Sequence, residues 1–519
     1  MTWNEQRATE RVNQNDFSDF EVKVADLAKE MDFANLGRKD VRRADAAHIY
    51  ADVPNFHLTV RDAGADQRKQ RELVRAASVL QRVQSELLKS SDIIGDHEIS
   101  KIQSQATRLH ALCYKPYTSE ETRATHAVKT AITLNTYLYD IFNPTFAEVR
   151  NFQGSVGVDA GHCLIASPGY RGERERICLG TPANRAAKIL GNGGSITITE
   201  AVHKHLPKAL QEFFEGAGEK AGTKVYVAKS LRWSSCPDLA GELGVTWKPA
   251  KWEKRTAELK DALPLSEMDV AEARTIIDVD ALSERNSRRT HGIALYADLD
   301  GFTSYVQGAE DDDTVVSLVR ELHMIRSEFH AVLERDYPGI VLQHQGDRVF
   351  AILHDPCGTA DGDEQKRCRR AVDAAIGLQS SMVQVLTKKL AGGRKLRVAV
   401  GLDVGRQIVS RLGAKGKRTA VCFGPCVTGA EHRQLDSAGG EIRISPAIYD
   451  QLDDGVVKKQ FAKGGESYVA VGLTFAKIDM LEEEAAAREG RLGARVESGK
   501  VRVTTTAGTV TRPWSSSAS

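Results

Sequence analysis

Apolar positions in the stretch QRKQRELVRAASVLQRVQSELL (67–88) recur at Leu73, Ala76, Leu80, Val83 and Leu87. These alternating steps of three and four predict one buried helical face. The stretch TVVSLVRELHMIRSEFHAVL (314–333) repeats the pattern with Val315, Leu318, Leu322, Ile325 and Phe329. Further helices are predicted over 119–142 and 364–389, and hairpins over 92–113 and 338–354. Ahead of each long helix stands a short β-branched and aromatic run that ends in an aspartate and a turn, AHIYADVPNF (47–56) and IALYADLDGF (293–302).

The two halves continue to match in order. IQSQATRLHAL (102–112) parallels VLQHQGDRVFAIL (341–353), SVGVDAG (155–161) parallels AVGLDVG (399–405), and ICLGTPAN (177–184) parallels VCFGPCVT (421–428). Gly157 and Gly180 lie 23 positions apart, as do Gly401 and Gly424. A duplicated domain is therefore expected. Its copies span 45–230 and 288–478, after an N-terminal polar and helical segment (1–44). A polar linker (231–287) with a helix near 252–262 joins them, and a tail (479–519) is expected to be disordered. Strand, helix, hairpin, helix, strand in each copy predicts an α+β fold of the ferredoxin-like type, with helices on one side of an antiparallel sheet.

Composition narrows the function. The 519 residues are 41% apolar and 27% charged, enough for two to four globular domains. Lys plus Arg (71) nearly cancels Asp plus Glu (70), for a net charge of +1. A general nucleic-acid binder would carry a basic surplus, so no nucleic-acid partner is expected. The polar start MTWNEQRATERVNQND has no apolar core of a signal peptide, and no apolar run of about 18 residues predicts a membrane span. Eight cysteines are scattered along the chain. The close pair Cys422 and Cys426 lacks a second pair or histidine set for zinc, so reduced thiols in a cytoplasmic protein are expected.

Candidate chemistry concentrates in the second copy. Asp298 ends an apolar strand, and Asp347 follows Gly346 in a hairpin turn. A hairpin tip beside a strand end can bring two carboxylates over a pair of hard cations with open positions for phosphate. Two such cations stabilise the attacking and leaving oxygens of an in-line displacement at phosphorus. The turn 301–304, with Phe302 and Thr303, can offer backbone N–H groups to a triphosphate.

ALYADLDGFTSY, QHQGDRVFAIL and RVAVGLDVGRQIVSRLG…AVCFG resemble the class III adenylate and guanylate cyclase homology domain, strongly in the second copy and more weakly in the first. The resemblance implies two such domains paired head-to-tail as an intramolecular pseudo-heterodimer. It also implies two Mg²⁺ or Mn²⁺ ions, a nucleoside triphosphate as substrate and a cyclic-nucleotide receptor downstream. Carried over by position, Asp298 and Asp347 fill both metal positions of the second copy, whose transition-state positions hold Thr428 and His432. In the first copy Asp52 keeps one metal position and Thr107 replaces the other, while Asn184 stands at the transition-state asparagine and Lys188 replaces the arginine. One composite site, complete within one chain, is expected, with a dead mirror site containing Asp52, Gln343 and Val421.

Base-reading positions hold Gln103 and Ile177, which match neither the purine-reading pair of adenylate cyclases nor that of guanylate cyclases. Arg397 is a candidate phosphate ligand and Lys220 a weaker one. A two-domain cyclase of this kind resembles the pyrimidine cyclases of bacterial antiphage (Pycsar) defence, which implies UTP converted to cUMP. ATP converted to cAMP is the alternative within the family. A catalytically silent nucleotide-binding protein is the alternative outside it, and a diguanylate cyclase or polymerase is disfavoured by the lack of a GGDEF-type signature.

Overall fold

The structure, a computed structural model, describes residues 2–15, 21–28, 36–37, 39–95, 99–105, 107–167, 176–309, 311–357, 363–391, 395–413 and 418–488. The first sheet contains β1 (Lys23–Asp26), β2 (Asp40–Asp52), β3 (Ser100–Gln105), β4 (Arg108–Cys113), β5 (Ser155–Ala166), β6 (Ile177–Leu179), β7 (Ser195–Thr199), β8 (Glu215–Lys220) and β9 (Thr223–Lys229). The second contains β10 (Asp269–Glu272), β11 (Asn286–Asp300), β12 (Ile340–Gln345), β13 (Arg348–His354), β14 (Arg397–Leu412), β15 (Thr419–Phe423), β16 (Glu441–Ile444), β17 (Ala462–Gly464) and β18 (Ser467–Val471). Their orders, β3-β4-β2-β5-β7-β9-β8 and β12-β13-β11-β14-β16-β18-β17, are the same topology twice.

The four strands β3-β4-β2-β5 and the two long helices of each half make the ferredoxin-like unit. Leu73, Ala76, Leu80, Val83 and Leu87 are all buried on the Gln67–Leu87 helix, and Val315, Leu318, Leu322, Ile325 and Phe329 on the Asp312–Ala331 helix. Two glycines explain why the spacing of the later blocks repeats. A Cβ on Gly157 would collide with the Ala186 carbonyl, and one on Gly401 with the backbone of Ala430 and Gln434. Each glycine lets a short helix lie directly on a central strand. Those helices, Thr181–Lys188 and Pro425–Leu435, carry the transition-state positions.

The halves exchange arms. Ile408, Leu412, Val421 and Phe423 of β14 and β15 pack into the first core. Val41, Leu164, Ala166, Ile177 and Leu179, four of them from β5 and β6, pack into the second. A fully buried side chain of this size is worth about 1.5–3 kcal/mol, so parting the halves would expose several at once. The stretch expected as a linker contributes Trp233, Leu239, Trp252 and Leu259 to the first core and lays β10 parallel to β11. At the N-terminus, the Glu5–Gln14 helix docks on the second half, with Arg11 bonded to Glu328 and Asp336. Residues 475–488 are helical, and the rest of the expected tail lies outside the described residues. Among the described residues, no helix is long and apolar enough to cross a membrane.

Candidate active site

Asp298 sits near the end of β11, in register with Ala399 of β14. Asp347 occupies the turn between β12 and β13, where Gly346 takes the left-handed φ of 71° that a tight turn needs. The Arg326 guanidinium holds this turn by donating to the Gly346 carbonyl. Burial raises the pKa of Asp298, against the pull of Arg348 and Lys188. Burial and the Asp298 carboxylate together push Asp347 well above the usual carboxylate range. Two carboxylates side by side in a half-buried cleft, one raising the pKa of the other, are an all-oxygen donor set, suited to Mg²⁺ or Mn²⁺ rather than to a thiophilic metal.

The facing wall comes from the first half. The Thr181–Lys188 helix brings Asn184 and Lys188 to one side, and Asn184 Nδ2 donates to Thr303 Oγ1 across the junction at 3.0 Å. Gln103, Ile177, Asn184, Lys188, Asp298, Thr303 and Asp347 all line one cavity of about 830 Å³. Gln103 is partly committed there: its Nε2 donates to the His344 carbonyl at 2.7 Å and its Oε1 accepts from Gln105 at 2.9 Å. Beside it Tyr50 is stacked on His110 with ring centroids 4.2 Å apart, and both rings line the same cavity.

Other expected residues stand elsewhere. The Phe302 side chain is buried in the second core, edge-on to Tyr305, and its ring does not line the cavity. Arg397 is exposed at the start of β14, opposite Asp300, and is also outside the lining. The register puts it on the same sheet face as Asp298, one residue pair further along, with its stem against Gly439 and Gly440. Lys220 is exposed, with Nζ 3.4 Å from the Leu190 carbonyl. The cations that do line the cavity besides Lys188 are Arg108 and Arg348, which immediately follows Asp347. The Arg348 guanidinium lies 5.0 Å over the Tyr296 ring and reaches Gln434 at 3.3 Å and Glu431 at 2.8 Å.

Residues 287–480 match the adenylate and guanylate cyclase catalytic domain family. The chain carries a class III nucleotidyl cyclase domain. Over nearly its whole length the chain is similar to a uridylate cyclase of Pseudomonas aeruginosa, 28% identical over 88% of this chain and 87% of that one. It is also 26% identical to a uridylate cyclase of Rhizobium sp., over 84% of this chain and 83% of that one. Among solved structures, a class III adenylyl cyclase-like ATP-binding protein from Pseudomonas aeruginosa superposes with a TM-score of 0.76 at 25% identity. That superposition covers 92% of this chain and 99% of the other.

This nucleotidyl cyclase has a second pocket, related to the first by the duplication. It holds about 110 Å³ and is lined by Asp52, Thr107, Thr428 and His432. Arg108 fills the place a cation would take, with Nε and Nη2 on Asp52 Oδ2 at 3.1 and 2.8 Å and Nη1 on Glu431 at 2.7 Å. Although burial alone would raise it, Glu431 is held below the usual carboxylate range by Arg108 and Arg348. Neither arginine stood out in the sequence, because the glutamate that joins them is 323 residues from Arg108.

Proposed function

We propose that this cyclase converts UTP to cUMP and pyrophosphate at one composite site built from both halves of the chain. The observation that carries the reading is the meeting of Asp298 and Asp347 with Asn184 and Lys188 in one cavity, while the mirror pocket is closed by Arg108. In the reaction the ribose 3′-oxygen bonds to the α-phosphorus, the bond to pyrophosphate breaks, and the hydroxyl proton is lost. Asp298 and Asp347 would hold two Mg²⁺ or Mn²⁺ ions, which when bound lower the cost of the alkoxide and of the triphosphate charge. Asn184 exchanges its bond to Thr303 for one to the ribose and fixes the angle of attack. Lys188 places positive charge beside the α-phosphate as negative charge grows there, without the forked grip of arginine. The N-terminal turn of the Phe302–Gln307 helix, with Thr303, would offer its backbone N–H groups to the triphosphate.

Support for uracil comes from the names of the two relatives and from the base end of the cavity. There Ile177 offers only packing, beside the stacked Tyr50 and His110 rings. Gln103 can present amide edges to a pyrimidine once its bond to Gln105 is exchanged. ATP is the second reading, favoured by the ATP-binding name of the superposed structure. Incubating the chain with Mn²⁺ and each of ATP, GTP, CTP and UTP, with products followed by mass spectrometry, separates the two. Cyclic UMP supports the proposal, cyclic AMP alone replaces the base, and tight binding without any product replaces catalysis by sensing. As a bacterial antiphage signal, cUMP should rise after phage infection in cells bearing this chain and act on a downstream receptor. Unchanged plaque counts with the Asp347→Ala form would remove that role.

A further inference from the structure

On the face of the first sheet that backs the base end of the cavity, four nitrogen and sulfur side chains meet. His48 on β2, His110 on β4 and Cys178 on β6 are buried, and one ligand atom of each lies within 4.8 Å of the other two. Cys163 on β5 lies beside Cys178 and His48, at the margin of that group of three. No carboxylate belongs to the group, so the donor set is unlike that of Asp298 and Asp347.

We propose that His48, His110 and Cys178, with Cys163 as fourth ligand, form a binding site for a thiophilic divalent cation of the zinc class. This inference stands independently of the cyclase reaction and of its base. Two imidazole and two sulfur donors are the set that tetrahedral Zn²⁺ takes. Zn–N bonds of about 2.0–2.1 Å at a tetrahedral angle require nitrogens about 3.3 Å apart. His48 Nδ1 and His110 Nε2 are 3.2 Å apart.

The duplication supplies an internal contrast. The four equivalent positions of the second half are Ala294, Phe350, Gln407 and Cys422. There an aromatic ring stacks on Tyr296 at 4.4 Å and the one thiol donates to Gln407 Oε1 at 3.2 Å, so packing and a hydrogen bond satisfy the site without a metal. The first half has exchanged that arrangement for two imidazoles and two thiols. A cation held there ties β2, β4, β5 and β6 together behind Tyr50 and Ile177. It thereby fixes the wall against which the base packs.

The test uses the full chain, purified under reducing conditions. Zinc content is measured as isolated, and Co²⁺ is then added to chelator-treated protein while thiolate-to-cobalt absorption is recorded. About one zinc per chain and a tetrahedral cobalt spectrum are expected, both retained in the Asp298→Ala/Asp347→Ala form. The double variant His48→Ala/His110→Phe imports the residues that already pack in the second half, so its fold should survive, as circular dichroism can show. It should bind cobalt at least about 100-fold more weakly, beyond the 10–100-fold cost of removing an outer-shell partner. The proposal is overturned if the wild-type chain binds neither metal, if the folded double variant binds as well as wild type, or if the metal is lost with Asp298 and Asp347. Recovery of Cys163 and Cys178 as a disulfide from freshly reduced protein would overturn it equally.

Discussion

The two pockets of this cyclase descend from one plan and differ in what fills the metal positions. In the larger, Asp298 and Asp347 face a cavity of about 830 Å³, where burial raises the pKa of both and Asp298 raises that of Asp347 further. In the smaller, Thr107 stands where Asp347 would, and Arg108 swings onto Asp52 and closes the space to about 110 Å³. The lesson is electrostatic. A lone carboxylate left by the loss of its partner is neutralised by a neighbouring guanidinium, and a cation site becomes an internal salt bridge. Glu431 joins that bridge to Arg348 on the other side, so the closed pocket buttresses the open one.

This contrast can be broken by substitution. The largest effect is expected for Asp298→Ala or Asp347→Ala, which should reduce turnover by about 10³-fold or more as phosphate loses its cations. Thr428→Ala in the mirror pocket should leave turnover within about twofold in the same pyrophosphate-release assay. Asn184→Ala should cost about 10²–10³ in kcat, the usual loss for one positioned donor at a charged transition state. Glu431→Gln leaves Arg108 and Arg348 facing each other without their shared carboxylate. Urea unfolding should show a loss on the order of 3 kcal/mol. Because the folded-state pKa of Glu431 is depressed, its contribution is present above the unfolded value, about 4.3, and is lost as pH falls. Wild type and the glutamine variant should therefore converge in acid.

The smallest effect has the opposite sign. Burial and Asp298 raise Asp347 above its unfolded value, so folded metal-free chain retains a proton that the unfolded chain releases. Stability then falls as pH climbs from about 4 through the raised pKa. Metal-free Asp347→Asn should melt slightly above wild type at neutral pH. Added Mn²⁺ should reverse the order by stabilising the wild type alone.

How much of this was legible in the sequence depends on distance along the chain. The duplication, the long helices and the Asp298, Asp347, Asn184 and Lys188 set could be read because each sits inside a short block that repeats. Phe302 was read for its backbone, and the helix that starts there after Gly301 sends its ring into the core. The position of Arg397 beside Asp300 and against Gly439 depends on strand register, which no local pattern encodes. Trp233 and Trp252 lie in a stretch polar enough on average to resemble a linker, and their isolated spacing hid a contribution to the core. The Arg108–Glu431–Arg348 link and the His48, His110, Cys163 and Cys178 group join residues that only the paired sheets bring together.

The most direct test of one working site per chain is the stoichiometry of nucleotide binding. Calorimetric titration with a non-cleavable α,β-methylene analogue of UTP and Mn²⁺ should saturate at one nucleotide per chain, and Asp298→Ala should abolish that binding while Asp52→Ala leaves it in place. Saturation at two per chain, or equal loss in both variants, would contradict the composite site.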